Sequence, residues 1–250
     1  MITASVRSSV SGSVRGAVGP AGGESVDLTS GLISWWDLDE ASGNRADSHG
    51  SNTLTDNATV TSATGKVSDA ADFEATNGEW LSKAAPHGCG FDSITDITIA
   101  CWVNFESLAV DAGIMRVGNS TTASAHDWML YSATSASRLR FYIPSSSAFS
   151  GRFVDANSHG NISTSTWYFV IGQYDASAET AFISVNAGTL DSQTGLGSPN
   201  SSGSQLELGR FDTGNYYDGL IDEAAVWNRL LNQSEINTLY NSGSGIAYPG

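Results

Sequence analysis

The sequence predicts an all-β fold: a single-domain, two-sheet antiparallel sandwich with one short C-terminal helix and an extended N-terminal arm. Three observations predict it. Only 15% of the residues are charged and 40% are hydrophobic, with Gly, Ser, Thr, Asn and Asp crowding the stretches between apolar runs. That is the composition of many short strands joined by turns. Apolar residues then recur with a period of two in segment after segment, the spacing that turns one strand face toward a core. Finally, turn-forming clusters at 42–44, 47–50, 76–78, 198–203 and 213–215 punctuate those segments at short intervals.

The alternating segments, in order, are Leu32–Leu38, Ala71–Leu81, Ile94–Phe105, Ile114–Val117, Trp128–Ser132, Leu139–Ile143, Trp167–Tyr174, Ala181–Val185, Leu206–Phe211 and Gly219–Trp227. So many short strands call for two packed sheets. Trp167–Tyr174 and Thr180–Val185 read as a hairpin across the turn Asp175–Glu179. One helix comes after the last strand: Asn232 and Glu235 have the spacing of a capping box, Ile236, Leu239 and Tyr240 form the apolar stripe, and Gly243 is the expected stop. A helix this short persists only when docked on a sheet.

Residues 1–28 differ in kind and are set apart as an arm, with 29–250 as the sandwich. Ser-Val-Arg occurs at 5–7 and again at 13–15, and Val6, Val10, Val14 and Val18 fall four apart among Ser and Gly. The β-branched residues favour an extended chain, and Gly19-Pro20 and Gly22-Gly23 break it from the sandwich. Such an arm cannot bury itself. It is expected to add as a strand to neighbouring protein subunits of a larger assembly.

Charge excludes some partners. The formal net charge is −15, from 26 acidic and 11 basic residues with no Lys/Arg cluster. Nucleic acid and anionic membrane surfaces are therefore not expected partners. No apolar run approaches the roughly 18 residues of a membrane-spanning helix. The N-terminal residues lack the apolar core of a secretory signal, so release by lysis or assembly into a particle is the expected route outward. Cys89 and Cys101 make no disulfide framework. Cys101 shares a strand face with Ile97, Ile99 and Val103 and is expected as a buried thiol.

At this point the residues resemble a known family. Gly31–Glu40 with Gly43 is similar to the opening strand of LamG-like (laminin G type) jelly rolls of the concanavalin A-like lectin/glucanase superfamily. Asp47–Gly50 with Asn52 and Leu54, Gly65–Lys66 with Ala71–Glu74, Ile97–Val103, Trp167–Val170 and Tyr217–Leu231 resemble later family segments, in the family's order. The resemblance covers about residues 30–243 and leaves out the arm. It implies two antiparallel sheets with a convex and a concave face, and places Trp35, Trp36, Trp102, Trp167 and Trp227 in the core. It also implies one structural Ca2+ near the strand Gly219–Trp227. Asp222 is the matching side chain, and the loop carrying Asn77 and Gly78 offers further oxygens. The alternative is that Asp222 simply accepts hydrogen bonds from nearby backbone. The fold alone assigns no activity.

Glycoside hydrolysis needs two carboxylates flanking the scissile bond. The candidates are Asp37 with Asp39, on one strand face, and Asp222 with Glu223, which point to opposite faces; neither pair meets the requirement well. His49, His87, His126 and His159 lie apart in polar turns with no zinc spacing. For sugar binding the useful groups are exposed aromatics beside polar side chains, and Tyr216, Tyr142 and Trp80 are the candidates. The expectation is a non-enzymatic structural or recognition module on a virion or extracellular surface, in particular a bacteriophage decoration, fibre or tail component. A carbohydrate-binding lectin-type module recognising surface glycans is the alternative, and a glycan hydrolase the third reading.

Overall fold

The computed structural model describes residues 26–108, 111–118, 126–133, 137–145 and 151–250. Val6, Val10, Val14 and Val18 of the arm lie outside these residues. From the amino terminus come β1 (Leu32–Trp36), β2 (Thr55–Asn57), β3 (Thr61–Thr64), β4 (Asp69–Phe73), β5 (Trp80–Lys83) and β6 (Ile97–Phe105). Next are β7 (Ala112–Gly118), β8 (His126–Ala133), β9 (Arg138–Tyr142), β10 (Phe153–Asp155), β11 (Trp167–Asp175) and β12 (Thr180–Val185). The last are β13 (Asp191–Gln193), β14 (Leu206–Leu208), β15 (Arg210–Asp212), β16 (Asn215–Tyr216) and β17 (Gly219–Trp227), with the helix α1 (Gln233–Tyr240) after them.

The strands form the expected two antiparallel sheets. The first runs β13-β12-β11-β6-β17-β4-β3, with β1 also paired to β17. The second runs β10-β9-β8-β7-β14-β5-β2, and β15 and β16 make a separate small hairpin. Ile99, Cys101, Val103, Val170, Ile183, Ile221 and Val226 from the first sheet meet Leu81, Trp128, Leu130, Leu139, Phe141 and Leu206 from the second in one core. Cys89 and Cys101 are both free and buried, and burial pushes the Cys89 thiol up to about 12.

The first sheet is apolar on its outer face too. Trp35, Trp102, Phe169, Ile171 and Trp227 form a second buried layer under Leu231, Ile236 and Leu239 of the helical segment. The alternation of β6 accounts for both layers: Ile99 and Cys101 face inward while Ala100 and Trp102 face the helix. The capping box forms as expected. Asn232 Oδ1 accepts from the Ser234 and Glu235 amides at 2.9 and 3.1 Å, and Glu235 Oε2 accepts from the Asn232 amide at 2.7 Å. The stop differs, because Asn241 rather than Gly243 takes the left-handed C-cap position, with φ 46°. Asn tolerates that conformation where most side chains do not.

Several expected boundaries shift for local reasons. Ala71–Leu81 is two strands in different sheets, β4 and β5, parted by a short 3-10 turn over Ala75–Asn77. Leu32–Leu38 ends as a strand at Trp36, and Leu38 turns to φ 65°. Leu206–Phe211 divides into β14 and β15 at Gly209, which has φ 84° and where a Cβ would stand 2.5 Å from the Phe73 ring. Only glycine satisfies both conditions. Residues 26–28, assigned to the arm from the sequence, belong with the sandwich. Leu28 is 3% exposed in the second layer, and its carbonyl accepts from Trp227 Nε1 at 2.7 Å.

Candidate functional site on the outer face of the second sheet

The centre of the first sheet is covered on both sides, and ionic and aromatic side chains gather on the outer face of the second. Its strands alternate: Leu81, Leu206, Leu208, Leu130, Leu139, Phe141 and Val154 point into the core, so their neighbours point out. Cross-strand register lines these neighbours up. Thr55 stands opposite Ser82, Ser82 opposite Glu207, Glu207 opposite Arg116, Arg116 opposite Met129, Met129 opposite Tyr142 and Tyr142 opposite Phe153. One row thus crosses every strand of the sheet.

The centre of the row is ionic. Arg116 Nε donates to Glu207 Oε2 at 2.7 Å, and Arg210 Nε donates to the same oxygen at 3.1 Å. A second nitrogen of each arginine and the Gln205 amide also reach Glu207. Arg116 and Glu207 are 0% exposed, and burial lowers the Arg116 pKa against the opposing pull of Glu207. Two buried charges are tolerated here because each is bonded several times over. Arg210 also lies flat on Trp80, its guanidinium carbon 3.5 Å from the ring centre. Tyr216, opposite Arg210 in the small hairpin, touches the Gly78 turn ahead of Trp80: its ring stands 3.4 Å from the place a Cβ on Gly78 would take. Trp80 and Tyr216, both half-buried, therefore flank one turn, with the buried Arg210 guanidinium over the Trp80 ring.

The far half of the face is an aromatic cluster. Met129, Tyr131, Ala133 and Tyr142 pack with Phe153 and Phe211, and Phe211 of the small hairpin meets Tyr131 edge-on at 5.0 Å. Arg140 stacks on Phe153, 3.6 Å from its ring centre, and donates to both oxygens of Asp155 at 2.6 and 3.0 Å.

Trp80 and Tyr216 are brought together as a surface. Tyr142 is a correction: it is 3% exposed and packed in the aromatic cluster, so no sugar ring can stack on it as it stands. Asp222, Asn77 and Gly78, grouped as calcium candidates, engage different neighbours. Asp222 Oδ2 accepts from the Lys66 and Val67 amides at 2.7 and 2.9 Å, the backbone alternative raised for it. Asn77 donates its amide to Glu79 Oε1 at 3.0 Å, and Gly78 lies against Tyr216. Asp222 Oδ1 is buried without a partner, and burial, helped by Asp39, lifts the Asp222 carboxyl to about 7. Among the described residues no group of three or more His, Cys, Asp or Glu side chains is arranged around a metal position.

The other candidates resolve as supports for the fold. Asp37 and Asp39 fall beyond the end of β1; Asp37 Oδ2 accepts from the Ser48 hydroxyl and Asp39 Oδ1 from the Asp69 amide at 2.9 Å. Glu223 sits at a bulge with φ 48° and accepts from Trp35 Nε1 at 2.5 Å. Two histidines expected in solvated turns are buried. His87 meets the Ser204 carbonyl at 2.8 Å, and His126 begins β8 with Nδ1 unpartnered. Gly118 leaves it room, since a Cβ there would come within 1.8 Å of that nitrogen. Sequence reading missed Arg116, Glu207, Arg210 and Arg140. Their signal was present: single charges of opposite sign inside apolar segments, Met115-Arg116-Val117 and Leu206-Glu207-Leu208.

Two measurements test this geometry. Glu207→Gln leaves two guanidinium groups without their counter-charge and is expected to lower unfolding free energy by about 3–5 kcal/mol in urea denaturation; a loss under about 1 kcal/mol would mean the row is not held by the pair. Burial first, and then the charge on Arg116, depress the His126 pKa from 6.5 to about 4. The folded chain therefore refuses a proton that the unfolded chain takes up. The stability this group contributes is complete above pH 6.5 and drains away toward pH 4, about 3 kcal/mol in all. His126→Gln is expected to remove that part of the acid sensitivity, and identical stability–pH curves for the two proteins would refute the assignment.

Comparison with known proteins places the fold. A laminin G-type family model described as concanavalin A-like lectin/glucanases superfamily matches residues 77–237, well over half of the chain. Domain 4 of AbnA, a GH43 extracellular arabinanase from Geobacillus stearothermophilus solved in complex with arabinotriose, superposes with TM-score 0.61 at 18% identity, over 86% of this chain and 98% of that one. The binding domain of Paraclostridial Mosquitocidal Protein 1 gives TM-score 0.66 at 16% identity, over 87% of this chain and 53% of that one. Trypanosoma rangeli sialidase gives 0.64 at 15% identity, over 94% and 37%. The chain thus spans nearly all of the arabinanase domain, but about half and about a third of the other two. Among curated proteins, none matches it. The two-sheet jelly roll and the matched residues together show that this chain belongs to the concanavalin A-like lectin/glucanase superfamily.

Proposed function

We propose that this protein is a non-catalytic, carbohydrate-binding recognition module whose ligand lies on the outer face of the second sheet. The observation that carries the reading is the composition of that face: half-exposed aromatics, Trp80, Tyr216, Phe153 and Phe211, set among arginines and polar side chains. This is the mixture that stacks on and hydrogen-bonds a sugar. The arabinotriose complex of the arabinanase domain and the binding domain of the mosquitocidal protein support the reading from the same fold. The carboxylate inventory supports binding over hydrolysis. Two carboxylates of this face are already committed: Glu207 is 0% exposed and bonded to two arginines, and Asp155 is paired with Arg140. A glycosidase needs a second carboxylate across the bond and a proton that can move.

The finer reading, display on a particle such as a bacteriophage virion, rests on the arm. There Val6, Val10, Val14 and Val18 would bind neighbouring subunits, and it is the composition and spacing of residues 1–28 alone that support this.

The experiment is a glycan array with the full chain, then calorimetry on the best-bound oligosaccharide. Trp80→Ala with Tyr216→Ala is expected to weaken binding roughly tenfold or more, the equivalent of about 1.4 kcal/mol. Absence of binding to any glycan, or an unaffected double variant, would overturn the site.

We also propose a Ca2+ ion at Asp222, whose buried Oδ1 offers one hard oxygen with no protein donor. Millimolar calcium is then expected to raise the Tm above that in chelator, and Asp222→Asn to abolish the difference. Equal Tm values with calcium and with chelator would remove the ion.

A further inference from the structure

Resting on the assembly reading of the arm, we propose that the open edge of β3 is a strand-addition site for the arm of a second copy of this chain. The first sheet ends at β3, whose partner strand among the described residues is β4 alone. Gly65 donates to the Ser68 carbonyl at 2.9 Å, which makes these two a hydrogen-bonded pair. By the register, Ala63 with Ala70 and Thr61 with Asp72 are bonded pairs too, so the amides and carbonyls of Ser62 and Thr64 point away from β4. Arg45 occupies the start of this edge, donating to the carbonyls of Val60 and Thr61 at 3.0 and 3.1 Å. From Ser62 to Thr64 the edge has no charge, no proline and no bulge, the devices that otherwise keep strands from adding. An extended segment laid along it finds two amides and two carbonyls to bond.

The surroundings of the edge select a cationic occupant. Asp39, Asp69, Asp72, Glu74, Glu106 and Asp218 gather around β4, and none of them belongs to an ion pair among the described residues. Against them stand Lys66, which lies over the Trp102 ring, and Arg45, which is 0% exposed and beside Glu40. Asp72 Oδ1 is buried without a hydrogen-bond partner. Burial first, and then the neighbouring acids, raise the pKa of Asp72, Glu74 and Glu106, a repulsion that an added positive charge relieves. Residues 1–23 hold two of the 11 basic residues and none of the 26 acidic ones. In each Ser-Val-Arg repeat an extended chain puts Ser and Arg on one side and Val on the other. With Val turned inward, the arginine lies over the small side chains Thr61 and Ala63, on the outer face that they share with Asp72.

Chain direction decides between this copy and the next. The arm joins the sandwich at residues 26–28, beside Trp227, whereas β3 lies level with Leu220 and Ile221 toward the other end of β17. Two antiparallel pairings, β17 with β4 and β4 with β3, make β3 parallel to β17. An arm running straight to β3 from its own residues 26–28 therefore lies parallel to it. A second copy's arm is free to add antiparallel, the more stable pairing.

The test follows the full chain by sedimentation and by hydrogen exchange at Ser62 and Thr64, over about a hundredfold range of concentration and at low and raised salt. Expected is reversible self-association that raised salt weakens, with the Ser62 and Thr64 amides protected only where the chain is associated. Thr64→Pro removes an outward amide that β4 does not use, and Arg7→Glu with Arg15→Glu reverses the charge of the arm. Each variant is expected to weaken association roughly tenfold or more. The exchange of the unaltered chain and the arm variant, whose changes lie outside the sandwich, decide the matter if Thr64→Pro does not fold. Exchange at Ser62 and Thr64 that is the same at every concentration would overturn the second copy as occupant. Association that survives Thr64→Pro but is lost on arginine reversal would overturn the β3 edge while leaving assembly through the arm in place. Association lost with Thr64→Pro but indifferent to arginine reversal would overturn the arm as the occupant. A chain that stays monomeric throughout would overturn both the edge and the assembly reading.

Discussion

The register of β14 against β7 places Glu207 opposite Arg116 where both are excluded from water. A strand has a side-chain period of two, so slipping β14 by one residue would send Glu207 into the core, turn Leu206 and Leu208 outward and leave Arg116 buried without its partner. That penalty makes the register nearly unambiguous. It is inherited across the sheet, since every strand pair in the row from Thr55 to Phe153 takes its alignment from the next. The ion pair contributes modest net stability compared with an apolar replacement. Its consequence is specificity of alignment, and through alignment the composition of the outer face.

The two sheets of the sandwich have divided their tasks. In the first, the aromatic layer of Trp35, Trp102, Phe169 and Trp227 under α1 makes the sheet apolar on both sides, as in a sheet with helices on its faces. Arg229 ties the helix to this layer's edge, donating to both oxygens of Glu235 at 3.0 and 2.6 Å and to the Ser30 carbonyl at 2.6 Å. The centre of the first sheet, β1, β6, β11 and β17, has no outer face left for a ligand. The second keeps a polar and aromatic face, with the small β15–β16 hairpin folded against β7. Gly209 is the hinge of that arrangement, because only there does β14 turn back across the sheet.

Strand β17 carries the other local compromise. Its first half pairs with β4 and its second half with β1, both along the same edge, and the bulge between Asp222 and Ala225 falls at the change of partner. Two carboxylates are buried at that point, Asp222 against the Lys66 and Val67 amides and Glu223 against the Trp35 indole. Burial, with Asp222 alongside, lifts the Glu223 carboxyl to about 9. A bulge is where a strand can re-aim side chains, and this one breaks the alternation: Ile221 and Ala224 both face the core, and Asp222, opposite Trp102, and Glu223, bonded to Trp35, both lie toward the outer layer instead of on the opposite faces expected from their order.

Local patterns settled a great deal. The period-two alternation of Ile97–Val103 and Trp167–Tyr174, the capping box at Asn232 and the ordered family segments from Gly31 to Leu231 determined the fold class and four of the five tryptophans expected in the core, Trp167 being only partly buried at the layer's rim, because these depend on neighbours in sequence. Trp80 and Tyr216 were legible as candidates by residue type. What only the tertiary structure decided was adjacency. Glu207, Arg116 and Tyr142 are dozens of positions apart and meet only through strand pairing. Burial of Tyr142 and His126 depends on what lies over a strand, which alternation within the strand does not report. The separation of Asn77 from Asp222 has the same origin, since each side chain takes its partner from a different loop. Periodicity names the face on which a residue lies, but only the assembled sheets determine which other residues share it and what covers them.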